Sequence, residues 1–186
     1  MEKIDFNINF SGFEANEKIL VDTGVILALA NEYDAWHNTV SNLFNTHVLN
    51  DDEDKPLFLF VNPTILNEIT FLANRPFENY KSKFPSQDLS GVDPNTVLSS
   101  TINDVKILVD EEILLIIDGN KNSALKQLEI YKELGSADAV NASIANEYGL
   151  NFLTVDTKLA NNIYRYRENL SNIPKIYYTI PMFRTY

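Results

Sequence analysis

A chain of 186 residues, 45% hydrophobic and 11% aromatic, carries enough apolar material for one sizeable core, and its length suits a single domain. It has no cysteine, which excludes disulfides and thiolate metal sites and fits a reducing, cytoplasmic setting; no apolar run reaches the roughly 20 residues of a membrane helix, and MEKIDFNINF lacks a signal peptide's layout, so a soluble protein away from membranes is expected. The net charge of −11 excludes a broad basic nucleic-acid surface, although a bound cation recruits phosphates locally whatever the overall sign.

Residues 1–17 show no clear period and read as an N-terminal extension that lies over the domain or frays. KILV at 18–21 is a short apolar strand, and Asp22, Thr23 and Gly24 stand where it hands over to a helical run at 25–30. Asp34 reads as the cap of a second helix that turns Trp36, Val40, Leu43 and Phe44 inward. The DDED run at 51–54 lacks the spaced oxygen ligands and glycine of a calcium loop and reads as solvated. LFLFV at 57–61 is the second strand, and Asn62 with Pro63 opens the next helix as cap and first-turn proline. On that helix Ile65, Ile69 and Leu72 form an apolar stripe, with Glu68 at its edge rather than on the solvent face.

Residues 74–100 turn to Pro, Ser, Asn and Lys and read as an irregular insertion framing a site, followed by a helix over about 96–109. A third strand at 112–117 closes on the turn signal Asp118-Gly119, and 123–134 is an amphipathic helix. In SADAVNASIANEYGLNFLTVD, Ser136 reads as the cap of a helix over 137–148, Gly149 as its left-handed stop and 151–155 as a buried strand. Ala139, Ala142 and Ala145 let that helix approach a sheet closely; Asp138 falls in its first turn and Asp156 just beyond the strand. A helix to about 169, Pro174 and a last strand at 175–178 complete the chain.

This alternation predicts an α/β fold, a largely parallel sheet of about five strands with helices on both faces. There is no GxGxxG and no phosphate-binding glycine loop. In a parallel sheet Asp22 and Asp156 follow the carboxyl ends of two strands, while Glu68 and Asp138 lie on helices entering from the same edge, so four acids converge on one cleft. Carboxylates brought that close repel unless a cation compensates them, and oxygen ligands select Mg²⁺ or Mn²⁺, with Thr23 and Thr154 as outer polar support. Such an ion favours phosphodiester hydrolysis.

Each acid also has a plainer reading. Asp138 suits a helix dipole, Asp156 a helix cap, Glu68 a surface position and Asp118 an ordinary turn. His37 and His47 have no second ligand near them in sequence and read as ordinary helix residues.

Through ILVDTGVILALANEYDAWH, NPTILNEITFLANR and SADAVNASIANEYGLNFLTVD, the sequence resembles the PIN-domain ribonucleases, and among them the VapC-type toxins of toxin–antitoxin pairs. These segments stand in the family's order along most of the chain. The resemblance implies that Asp22, Glu68, Asp138 and Asp156 are the metal-holding catalytic acids of an endoribonuclease, and it implies a homodimer with an antitoxin partner. The departures are the extension at 1–17 and the insertion at 74–100. A catalytically silent domain of the same fold, binding RNA or a partner protein, is the alternative. A phosphatase with an aspartyl nucleophile is weakened by Gly24, which stands where its second acid belongs. Charge asymmetry adds two expectations. Residues 1–60 carry eleven acidic and three basic side chains, so RNA should instead follow Lys158, Arg165 and Arg167 on the helix after Asp156. The nine Tyr and eleven Phe, notably at 163–166 and 176–178, exceed what one domain can bury and predict association.

Overall fold

Ile19, Leu20 and Val21 are all fully buried, the pattern of a strand covered on both faces, and they lie in β2 (Lys18–Val21) at the middle of a parallel sheet. The computed structural model describes residues 1–49 and 56–186, so the acidic run at 51–54 lies outside the described residues. The other strands are β1 (Glu2–Asp5), β3 (Phe58–Val61), β4 (Leu114–Ile116), β5 (Asn151–Leu153) and β6 (Lys175–Tyr178). Their order is β1-β6-β5-β2-β3-β4, and every pairing is parallel.

Eight α-helices among the described residues connect and cover them: α1 (Thr23–Ala30), α2 (His37–His47), α3 (Pro63–Leu72), α4 (Arg75–Lys83), α5 (Pro94–Asp110), α6 (Lys121–Leu134), α7 (Ser136–Tyr148) and α8 (Thr157–Arg165). The chain steps from β2 to β3 to β4 on one side, then crosses back to place β5 against the other side of β2. That reversal opens a crevice beyond the carboxyl ends of β2 and β5, where ligands gather in open α/β sheets. None of the described helices is long and apolar enough to cross a membrane.

Local chemistry explains the main elements. Asn62 caps α3 by accepting from the Ile65 N–H at 3.0 Å, and Gly149 ends α7 at φ 63°. Ala139, Ala142 and Ala145 are fully buried where α7 packs on β2 and β5. Two expectations are corrected here. Ser136 does not cap α7; the helix begins with it, and the cap position is Gly135, whose φ of 96° favours glycine. The segment at 74–100 is less irregular than its composition suggests, because Pro76 occupies the first turn of α4 and Phe77 is buried.

The N-terminal residues do not fray. β1 pairs with β6 from Glu2↔Lys175 to Asp5↔Tyr178, so the sheet has six strands among the described residues, and Phe6 enters the core. Phe10 and Phe13 set their rings edge-on to Tyr177 at 5.8 and 4.9 Å. Beneath them the buried Glu17 accepts from the Tyr177 hydroxyl at 2.8 Å and from Lys175 Nζ at 2.6 Å. Tyr177→Phe removes a donor from a buried carboxylate and should cost about 1.5–3 kcal/mol in urea unfolding; an unchanged midpoint would show that Lys175 alone satisfies Glu17.

The aromatic segments are only partly buried: Ile163, Ile176 and Tyr177 are enclosed and Tyr166 and Tyr178 half-buried, whereas Tyr164 is exposed, as are Leu125, Leu128 and Tyr131 of α6 and Phe71 of α3.

Candidate functional site

Asp22 follows β2 directly, and its side chain is only 6% exposed. Its N–H donates to the Leu153 carbonyl at 2.9 Å, which locks the turn after β2 against β5. It occupies the cap position of α1 without making a side-chain cap bond. The carboxylate instead reaches across the crevice, where Oδ2 accepts from the Thr154 hydroxyl at 2.7 Å. Thr154 in turn accepts from the Asp156 N–H at 3.0 Å. One residue on, the Thr23 hydroxyl donates to Glu68 Oε2 at 2.7 Å. The two threonines therefore tie Asp22, Glu68 and the Asp156 backbone into one cluster.

Burial pushes the Asp22 carboxyl up to about 7; the Thr154 bond opposes this, and the charges of Asp138 and Glu68 add to it. Asp138, half-buried in the first turn of α7, is pushed up to about 6, first by burial and then by Glu68 and Asp156. Asp138 thus lies within the field of the other three acids. Asp156 has a structural role as well: its Oδ1 accepts from the N–H groups of Lys158 and Leu159 at 2.7 and 3.0 Å and caps α8. Asp118 is exposed and folds its carboxylate onto the Gly119 N–H at 2.7 Å, as a turn residue does. His37 bonds the Ala28 carbonyl and His47 packs on Phe10, so both act structurally.

A buried amide pair supports the cluster. Asn62 at the head of α3 donates to Asn141 Oδ1 at 2.9 Å, linking the helix of Glu68 to the helix of Asp138. The Asn141 Nδ2 is buried and has no partner among the described residues. Asn141→Ala removes that orphan but strands the Asn62 amide, so thermal or urea unfolding should show a loss of about 1–3 kcal/mol; unchanged stability would mean that the pair does not help to hold α3 to α7.

The donor set suits a hard cation in charge and atom type. None of the four acids forms an ion pair with Lys or Arg among the described residues. Direct ligation by three or more of them is not preformed, since no group of three His, Cys, Asp or Glu among the described residues is gathered to hold an ion. Mg²⁺ requires less than that, because it keeps several waters and takes one or two carboxylates.

No family model matches the sequence, and no curated protein matches it. Solved structures do. VapC20 of Mycobacterium tuberculosis, described as a toxin that cleaves the sarcin-ricin loop, superposes with a TM-score of 0.54 at 17% identity, over 77% of this chain and 93% of that one. FitAB bound to an IR36 DNA fragment gives a TM-score of 0.50 at 15% identity, over 86% of this chain and 94% of that one. The fold is the PIN-like fold of VapC-type toxins.

Within this PIN-like fold the three basic residues are spread out. Lys158 sits in the first turn of α8 beside Asp156, whereas Arg165 lies in its last turn, about 10 Å further along the axis at 1.5 Å per residue. Arg167 follows the helix, with its guanidinium 4.9 Å from the Tyr164 ring centroid. Arg184 was not anticipated. It lines a cavity of about 530 Å³ together with Gly24, Asp156 and Lys158. Only a lone Arg in a short C-terminal tail marked it in sequence, with no local pattern to reveal where the tail folds back.

Proposed function

We propose that this chain is a metal-dependent endoribonuclease that hydrolyses RNA phosphodiester bonds, acting as the toxin of a toxin–antitoxin pair in the cytoplasm. The observation that carries this reading is a buried carboxyl, Asp22, pushed up to about 7 at the crevice of a parallel sheet in the field of Asp138 and Glu68, with Asp156 acting on Asp138 in turn and no basic partner among the described residues. A fold without a cation would gain by replacing such a group. Bound among these acids, Mg²⁺ or Mn²⁺ supplies a water of lowered pKa and neutralises phosphate charge.

The side chains have separate tasks in this reading. Asp22 and Asp138 offer the anionic oxygens of the crevice. The Thr154 hydroxyl fixes the Asp22 carboxylate, and Thr23 fixes Glu68. Asp156 orients α8, so that Lys158 is presented to phosphate at the rim. The exposed apolar residues of α6 support association as a homodimer or with an antitoxin.

A silent domain that binds RNA or protein is favoured by one observation, the lack of a preformed three-acid cluster among the described residues. Incubation of purified protein with mixed labelled RNA separates the two. Cleavage in millimolar Mn²⁺ that stops in EDTA is expected, and intact RNA in both would retire the nuclease.

A further inference from the structure

The cavity beside Asp156 is completed by the C-terminal segment, which leaves β6 and folds back over α1 and α2. Thr157 donates to the Thr179 carbonyl at 2.8 Å, Thr39 to the Phe183 carbonyl at 2.6 Å, and both the N–H and the hydroxyl of Thr185 to the Ala35 carbonyl at 2.9 Å. The terminal Tyr186 hydroxyl bonds the Tyr33 carbonyl, and its ring stands edge-on to Tyr80 and Phe84 at 5.6 and 5.4 Å. A segment tied at so many points is a wall, not a loose tail. It fixes the Arg184 guanidinium 5.7 Å from the centroid of the Trp36 ring, in the same cavity as Lys158.

Two carboxylates face these cations. Asp34 is partly occupied, since it accepts from the Trp36 N–H at 2.8 Å; burial raises its pKa, while Arg184 lowers it. Asp156 spends Oδ1 on the head of α8. Neither Lys158 nor Arg184 forms an ion pair among the described residues, and both side chains are exposed.

We infer that this cavity is a subsite for one unstacked nucleotide of a single-stranded polynucleotide, its base against Trp36 and Tyr186 and its phosphate between Lys158 and Arg184. Aromatic faces combined with nearby cations are how proteins hold single strands without reading sequence, and the cavity has the size of a small-ligand site. A base inside a duplex cannot enter it. In a chain of net charge −11, two cations beside a tryptophan that form no ion pair among the described residues are a local exception to the repulsion of phosphate elsewhere. The inference deepens the nuclease reading and rests on it only for the next phosphodiester, which would lie over Asp22 and Asp138.

Trp36 is the only tryptophan, so its emission reports this cavity alone. The experiment titrates the full chain in EDTA with a single-stranded RNA, a DNA of the same sequence and the matching blunt duplex. Saturable quenching by the single strands and not by the duplex is expected; quenching by RNA alone would add recognition of the 2′-hydroxyl to the same subsite. Arg184→Gln combined with Lys158→Gln should weaken binding about tenfold at low salt and reduce the salt slope by about 0.7, the share of the one phosphate held between them on a single strand. An unaltered melting temperature confirms that this double variant is folded. No quenching, equal quenching by duplex, or unchanged affinity in the double variant would overturn the subsite. A parent that quenches yet never cuts RNA in Mn²⁺ removes the nuclease reading and keeps the subsite, while cutting without quenching does the reverse.

Discussion

Replacing Asp22 with Asn should abolish RNA cleavage, by more than the roughly 10–100-fold that loss of an outer-shell partner costs a metal site, while the protein stays folded. Asn keeps the shape and volume of Asp and can still accept from Thr154, so the turn between β2 and α1 has no reason to open. What disappears is one negative charge and the stronger of two possible oxygen ligands. In EDTA at pH 8 the variant should melt at a higher temperature than the parent, because a buried charge in the field of Asp138 and Glu68 has been removed. The rise in melting temperature that Mn²⁺ gives the parent should vanish, since a ligand of the folded state stabilises by mass action only where it binds. If Asp22 merely secured the turn, Asn would serve nearly as well. Normal cleavage by the variant would therefore end the carboxylate site.

Without metal the protein should be more stable at pH 5 than at pH 8, a direction opposite to that of an ordinary paired carboxylate. The ordinary Asp value is 3.8, and the folded values are about 7 for Asp22 and about 6 for Asp138. Between these limits the folded state binds more protons than the unfolded chain, so stability falls as pH rises from about 4 to about 7 and levels off above. Between pH 5 and pH 8 the loss from the buried Asp22 alone is on the order of 2.5 kcal/mol; Asp138 adds less because solvent reaches it. Urea unfolding in EDTA at the two pH values measures this. Addition of Mn²⁺ at pH 8 should recover much of the loss, and Asp22→Asn should flatten the profile. A parent whose stability is level or rises across this range would contradict the burial of an uncompensated charge.

How much could be read in the sequence varies with how local each signal is. The strand before Asp22 is wholly apolar because the sheet covers it on both faces, so both the strand and the acid at its end were legible. Glu68 was legible from its place at the edge of an apolar stripe, and the three small residues of α7 from their close approach to the sheet. β1 was not, since a four-residue edge strand reading EKID buries too little to show alternation. The cap of α7 was misassigned because Ser is a common cap, while Gly135 takes the position through its backbone alone. Asp156 proved to have two roles, one of which, the cap of α8, needs only neighbouring residues. Arg184 and Trp36 are 148 positions apart in a chain of 186, and no local pattern brings them together.

The central claim is that Asp22, Glu68, Asp138 and Asp156 hold one divalent cation. Calorimetric titration of Mn²⁺ into the metal-free protein at pH 6.5, repeated in two buffers of different ionisation enthalpy, tests it most directly. Asp22 is largely protonated at that pH and must ionise to bind. One saturable site that releases a proton, lost in Asp22→Asn, is the predicted result. Absence of saturable uptake, or equal uptake without proton release in parent and variant, would contradict it.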